Sequence, residues 1–70
     1  MELSARNQFK GKIVSIKLGG VMAEVTVDIG GGNEIVSAIT RGSVEGLGLR
    51  KGDSVVAIIK STEVMIGKER

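Results

Sequence analysis

From Val21 to Ile29 the chain alternates without a break. Val21, Ala23, Val25, Val27 and Ile29 fall on one side of an extended segment, and Met22, Glu24, Thr26 and Asp28 fall on the other. Strand side chains repeat every second residue, so this pattern specifies a half-buried β-strand and not the face of a helix. Gly30-Gly31-Gly32-Asn33 follows directly, and residues that tolerate positive φ are what a hairpin reversal needs. A glycine run can also cradle phosphate, but here neither Gly-Lys-Ser/Thr nor a helical pattern follows, so the run reads as a turn. The return strand spans Glu34 to Ile39, with Ile35, Ser37 and Ile39 opposite Val36 and Ala38. Two nearly apolar faces predict burial on both sides.

The remaining segments extend the same meander. Ile13 to Leu18 places Val14, Ile16 and Leu18 on one face and Ser15 and Lys17 on the other, with Gly19-Gly20 turning it into the next strand. Val55 to Ile59 is a run of β-branched residues around Ala57, and Glu63 to Ile66 reads as a last short strand after a polar break at Ser61-Thr62. Leu3 to Phe9 has no helical period and reads as an extended edge or exchanged strand. The one helical candidate is a single turn over Ser43 to Leu49, with Ser43 as N-cap. Gly46 and Gly48 weaken it by about 1 kcal/mol each relative to Ala. A short echo between Lys10-Gly11 and Lys51-Gly52 is what any meander produces and does not indicate a duplication. These elements predict one domain over residues 1–70. It is all-β, a small antiparallel barrel or OB-like sheet of five to six strands with one helical turn.

A domain of 70 residues buries only about 60% of the surface its unfolded chain exposes, which leaves little net stability. Disulfides, a structural metal or other chains usually make up the difference. The sequence has no Cys and no His, which removes disulfides, thiolate sites and the commonest zinc ligand together. Association of several copies is the support that remains, and an obligate homo-oligomer is the expectation. The missing His also removes the commonest general base. Asp28, Glu24, Asp53 and Glu63 lie at alternate or turn positions that read as solvated, so the chain is not expected to be an enzyme.

Partners are constrained in the same way. One aromatic residue, Phe9, is too few for the stacked bases of a single-stranded nucleic-acid binder. A scattered net charge of +2 does not call for a polyanion. The longest apolar run, Val55 to Ile59, is far short of the roughly 20 residues a membrane helix needs. The opening MELSARNQFK lacks the apolar stretch of a signal peptide, so the cytoplasm is the expected location.

Three polar clusters stand out. In Ser4-Ala5-Arg6-Asn7-Gln8, Ser4 and Arg6 are two apart and share a side of an extended segment. In Thr40-Arg41-Gly42-Ser43, two hydroxyls sit where the helical turn begins and free N–H groups favour an anion. In Lys60-Ser61-Thr62, a cation and hydroxyls interrupt an apolar strand pattern. All three are rich in donors and poor in obligatory acceptors, the chemistry a small oxyanion requires. Each also has an ordinary structural reading: a cap, a strand end, or a solvated charge. Spacing alone leaves both readings open and does not bring the three clusters together.

The clusters coincide with motifs of a known family. Ser4-Ala5-Arg6-Asn7-Gln8-Phe9-Lys10-Gly11 resembles the SARNQ-x-x-G opening of the molbindins, the small molybdate-binding Mop proteins. Lys60-Ser61-Thr62-Glu63-Val64-Met65 resembles their closing KST-x-VM, and Ile39-Thr40 through Ser43-Val44-Glu45 to Leu47-Gly48-Leu49 is similar to their central loop and turn. The resemblance covers essentially the whole chain. It implies a TOBE-type OB-like barrel, dimers that exchange an N-terminal strand, a homohexamer built as a trimer of dimers, and storage or buffering of molybdate or tungstate, with no organic cofactor. It also implies sites between subunits. Ser4, Arg6, Lys60 and Ser61 would form one side, and Thr40 and Ser43, with backbone N–H groups at Arg41 and Gly42, the other. An OB-like nucleic-acid-binding or assembly module without oxyanion specificity is the alternative function. Two positions depart from the family pattern: Gly46, expected to loosen the turn, and Arg41, a cation expected to raise affinity for any dianion and so reduce selectivity.

Overall fold

One long strand organises the molecule. In the computed structural model, which describes residues 1–69, β1 (Asn7–Leu18) is followed by β2 (Met22–Gly30), β3 (Asn33–Thr40), α1 (Arg41–Leu47), β4 (Ser54–Ile59) and a 3-10 turn at Ser61–Glu63. The strands form one antiparallel sheet in the order β3-β2-β1-β4. β1 is divided between two partners. Its second half pairs with β2 from Lys12↔Asp28 to Leu18↔Ala23, and its first half pairs with β4 from Asn7↔Ile59 to Lys12↔Ser54. Where the ladders meet, the backbones run close together. A Cβ on Gly11 would lie 2.8 Å from Val27 Cγ1 and closer still to the Asp28 carbonyl oxygen, so a larger residue there forces a shift.

The alternation in β2 does what its pattern predicts from Ala23 onward, whereas Val21, expected on the same face, precedes the strand and is 76% exposed. Ala23, Val25 and Val27 are buried and join Ile13 and Val44 in the core, with Ile16, Ile29, Ile39, Leu49 and Val55 packed around them. The glycine run is the expected hairpin. Gly30, Gly31 and Gly32 all have positive φ, at 91°, 63° and 79°, and Asp28 Oδ1 accepts a bond from the Gly30 N–H at 2.8 Å. Three successive residues in a region that L side chains rarely adopt explain why three glycines stand there.

Several expectations are corrected. β1 is continuous, so Lys10-Gly11 lies inside a strand and not at a turn, and only Asn7 to Phe9 of the expected Leu3–Phe9 strand is extended ladder. The register shifts between Ile13 and Ser15. The extra residue of this bulge moves the alternation by one position. Ile13, opposite Val27, therefore shares the core face with Ile16, opposite Val25, and Ile13 is the most deeply buried side chain at 1% exposure. The face assigned to Val14, Ile16 and Leu18 does not survive the bulge.

The last expected strand, Glu63–Ile66, is absent. Ser61–Glu63 forms the 3-10 turn instead, and the residues after it pair with no strand among the described residues. The sheet has four strands, not five or six. β3 and β4 are its open edges, so the architecture is an all-β, curled OB-like sheet and not a closed barrel within one chain. β3 is half-buried on one face only: Val36 is 60% exposed, against the two-sided burial its composition suggested. The core covers a single side of this edge strand.

α1 begins earlier than expected. Thr40, not Ser43, is the N-cap, and its Oγ1 accepts a bond from the Ser43 N–H at 3.0 Å. Two hydroxyls three residues apart left either able to cap, and the extended conformation of Thr40 at the end of β3 decides between them. The helix spans Arg41–Leu47, about two turns rather than one, and ends at Gly48 in the left-handed region. Val44 is its buried residue and pins it to the core.

Candidate functional site

Two of the three polar clusters converge at the start of β1. Asn7 pairs with Ile59 across the β1–β4 ladder, and Asn7 Nδ2 donates to the Ile59 carbonyl oxygen at 3.2 Å. Arg6 immediately precedes the first residue of this pair and Lys60 immediately follows the second. The segment before β1 is bent back by Gln8 Nε2, which donates to the Ala5 carbonyl at 2.6 Å. After Lys60 the chain turns at once, with the Glu63 N–H donating to the Lys60 carbonyl at 2.9 Å. Ser4, Arg6, Lys60 and Ser61 are all exposed. Among the described residues the only ion pair is Arg41–Glu45, so Arg6 and Lys60 carry no carboxylate partner.

The third cluster is built by the end of β3 and the start of α1. Thr40 Oγ1 and Ser43 Oγ are 2.7 Å apart. The Arg41 N–H donates to the Val21 carbonyl at 2.8 Å, which removes it from the expected anion donors. Gly42 N–H, in the first turn, has no intrahelical acceptor and remains the donor available there. The Arg41 guanidinium is held as well: Nε is 3.3 Å from Glu45 Oε1, and Nη1 donates to the Gly19 carbonyl at 3.2 Å.

The two groups stand at opposite ends of β1. Thr40 pairs with Met22, beside the Leu18↔Ala23 end of β1, whereas Arg6 and Lys60 flank the Asn7 end. Between these ends lie 12 residues of β1, roughly 35 Å of path at about 3.3 Å per residue. One chain therefore offers two separate donor sets, each open to solvent, and encloses an ion with neither.

A cleft of about 730 Å³ opens between the sheet edges, lined mainly by apolar residues such as Ile39, Leu49, Val55 and Ile59, with Lys60 and Glu63 at its rim. Its walls are apolar apart from Ser37, Lys60 and Glu63, and it is the uncovered side of the core. Among the described residues no group of three His, Cys, Asp or Glu could hold a metal ion, and no helix is long and apolar enough to cross a membrane. Sequence reasoning did not single out Asn7 or the anchoring of Arg41. The signal for Asn7 lay in its place inside the SARNQ run, but its bond to Ile59 depends on a pairing 52 residues away.

Residues 3–66 match the TOBE domain. The chain belongs to the TOBE-domain family. Among relatives of this TOBE chain, molybdenum-pterin-binding protein 1 of Clostridium pasteurianum is 54% identical over 66 residues, covering 94% of this chain and 97% of the relative. Among solved structures, MopII from C. pasteurianum superimposes with a TM-score of 0.91 at 52% identity, covering 96% of this chain and all of that one. A molybdate-binding protein from Sporomusa ovata gives 0.90 at 41% identity, covering 97% and 100%. ModG, described as a cytoplasmic molybdate-binding protein and solved with molybdate bound, gives 0.82 at 46% identity over 87% of this chain and 43% of that one. The four-stranded TOBE sheet is thus shared at full length with MopII and with the S. ovata molybdate-binding protein.

Proposed function

We propose that this TOBE protein binds molybdate or tungstate in the cytoplasm and stores or buffers it, at sites shared between copies of the chain. In this reading Ser4, Arg6, Lys60 and Ser61 of one chain face Thr40, Ser43 and the Gly42 N–H of another. The observation that carries it is the separation of two donor-rich clusters at opposite ends of β1, each exposed and neither complete. Likeness to the S. ovata molybdate-binding protein and to ModG supports the choice of ligand, and ModG supports the location. A homohexamer assembled as a trimer of strand-exchanging dimers is the assembly this reading adopts. The exposed Val36, the open edges of β3 and β4 and the apolar cleft are surfaces such partners would cover.

The chemistry is recognition, not catalysis. Hydroxyls can turn a proton toward an oxyanion, backbone N–H groups donate in fixed directions, and Arg6 and Lys60 balance its two negative charges. Sulfate is also a dianion, so charge does not discriminate, and selection falls to the larger size of molybdate or tungstate within a rigid donor shell. Phosphate carrying a proton would set a donor against donors, at a cost of about 1–3 kcal/mol. A pterin ring would want aromatic faces for stacking, and Phe9 is the single aromatic, so the oxyanion itself is the ligand in this reading. Isothermal titration of molybdate into the assembled protein in excess sulfate tests it. Saturable heat is expected, and its absence contradicts the proposal.

A further inference from the structure

Arg41 is the feature of the loop that oxyanion binding does not explain. A cation in the first turn of a helix opposes the helix dipole, which favours negative charge there. Its ion pair with Glu45 runs from cation to anion along the chain, the weaker orientation for residues four apart. Neither helix stability nor surface charge accounts for the residue, yet three of its groups are bound. The backbone N–H meets the Val21 carbonyl, Nη1 meets the Gly19 carbonyl, and Nε meets Glu45. Gly19 and Val21 belong to the β1–β2 turn, and Glu45 lies in α1. Arg41 therefore joins that turn to the helix at the residue that directly follows Thr40.

Two of the five guanidinium donors, on Nε and Nη1, are already directed at a carboxylate and a carbonyl, on the side of the turn. The hydroxyl pair, by contrast, is held by only a short local network: Thr40 Oγ1 to Ser43 Oγ at 2.7 Å and the Ser43 N–H to Thr40 Oγ1 at 3.0 Å. Both residues are exposed, so little packing fixes them. We propose that Arg41 is a positioning residue: it clamps the β1–β2 turn to the start of α1 and so orients the Thr40–Ser43 hydroxyl pair, and it does not itself meet the oxyanion. This rests on the reading of Thr40 and Ser43 as oxyanion donors, and it replaces the expectation that Arg41 raises affinity for any dianion.

Clamp and charge predict opposite signs at Glu45. Removing a carboxylate close to a bound dianion tightens binding if Arg41 acts by charge, because Glu45 then only competes for it. If Arg41 acts as a clamp, Glu45→Ala releases the guanidinium and weakens binding. Arg41→Lys discriminates again, since one ammonium keeps the charge but cannot reproduce two guanidinium contacts with different partners.

The experiment titrates molybdate into the assembled wild type, Arg41→Ala, Arg41→Lys, Glu45→Ala and Thr40→Ala, and measures amide hydrogen exchange at Ser43 without ligand. The clamp predicts about threefold weaker binding in Arg41→Ala, Arg41→Lys and Glu45→Ala alike, the scale of an exposed ion pair, and faster Ser43 exchange in each. Tighter binding in Glu45→Ala, or wild-type affinity in Arg41→Lys, overturns it. Failure of the wild type to bind, or indifference to Thr40→Ala, instead contradicts the oxyanion reading. The Ser43 exchange rate then still decides the clamp, since unchanged exchange in Arg41→Ala removes it.

Discussion

Asn7 donates its side-chain amide to the carbonyl of Ile59, 52 residues away, at 3.2 Å. That bond closes the β1–β4 ladder at the point where Arg6 and Lys60 leave it. Two cations distant in sequence are thereby placed next to one ladder end with no carboxylate partner among the described residues.

Arg6→Ala and Lys60→Ala are each expected to weaken molybdate binding at least about tenfold, in line with the loss of a charge-assisted hydrogen bond, while the mass of the assembly in solution stays unchanged. Titration calorimetry paired with light scattering checks both. Wild-type affinity in the two variants would remove these residues from the site.

Thr40 serves α1 twice, as cap and as proposed donor. Thr40→Ala is expected to destabilise the protein by about 1 kcal/mol, read as a lower urea midpoint, and to weaken molybdate binding. Thr40→Ser keeps an oxygen at the same position and should restore most of both. A variant that lost stability but bound normally would limit Thr40 to capping.

Gly46 and Gly48 look alike in the sequence and have opposite expected responses. Neither has an atom within 4 Å of an added Cβ, but Gly48 has φ of 61° at the helix end and Gly46 has ordinary helical backbone. Gly46→Ala should therefore raise stability by about 0.5–1 kcal/mol, and Gly48→Ala should lower it. Thermal unfolding of the two variants at one protein concentration compares them directly.

Gly11→Ala is expected to destabilise by about 1–3 kcal/mol, as overpacking does. The added methyl meets Val27 Cγ1 and the backbone of Asp28 where β1 passes from β2 to β4. A urea midpoint equal to that of wild type would show that the two ladders can separate there without strain.

The sequence disclosed the elements whose causes are local. Alternation in β2 placed Ala23, Val25 and Val27 in the core, and the three glycines fixed the β2–β3 hairpin, because a strand face and a positive φ are properties of neighbouring residues. The bulge after Ile13 was hidden, since an unpaired residue exists only relative to the partner strand. The expected strand at Glu63–Ile66 failed for a related reason: its β-branched and apolar residues fit a strand, but among the described residues they pair with neither open edge of the sheet. Thr40 and Ser43 were recognised as a hydroxyl pair, yet which of them caps depended on where β3 ends. The clusters themselves were legible as donor-rich runs. Their separation to opposite ends of β1 was not, because it follows from the register of β1 with β4 on one side and of β2 with β3 on the other.

That separation makes a shared site the central claim, and chain mixing tests it most directly. Arg6→Ala/Lys60→Ala and Thr40→Ala/Ser43→Ala chains should each assemble without binding molybdate. When the two are unfolded together and allowed to co-assemble, each site draws one donor set from each of two chains, so about a quarter of the sites should regain both intact halves on random mixing. Molybdate binding restored to about that fraction is the predicted result. Mixed assemblies that bind no more than either parent would contradict a site shared between chains.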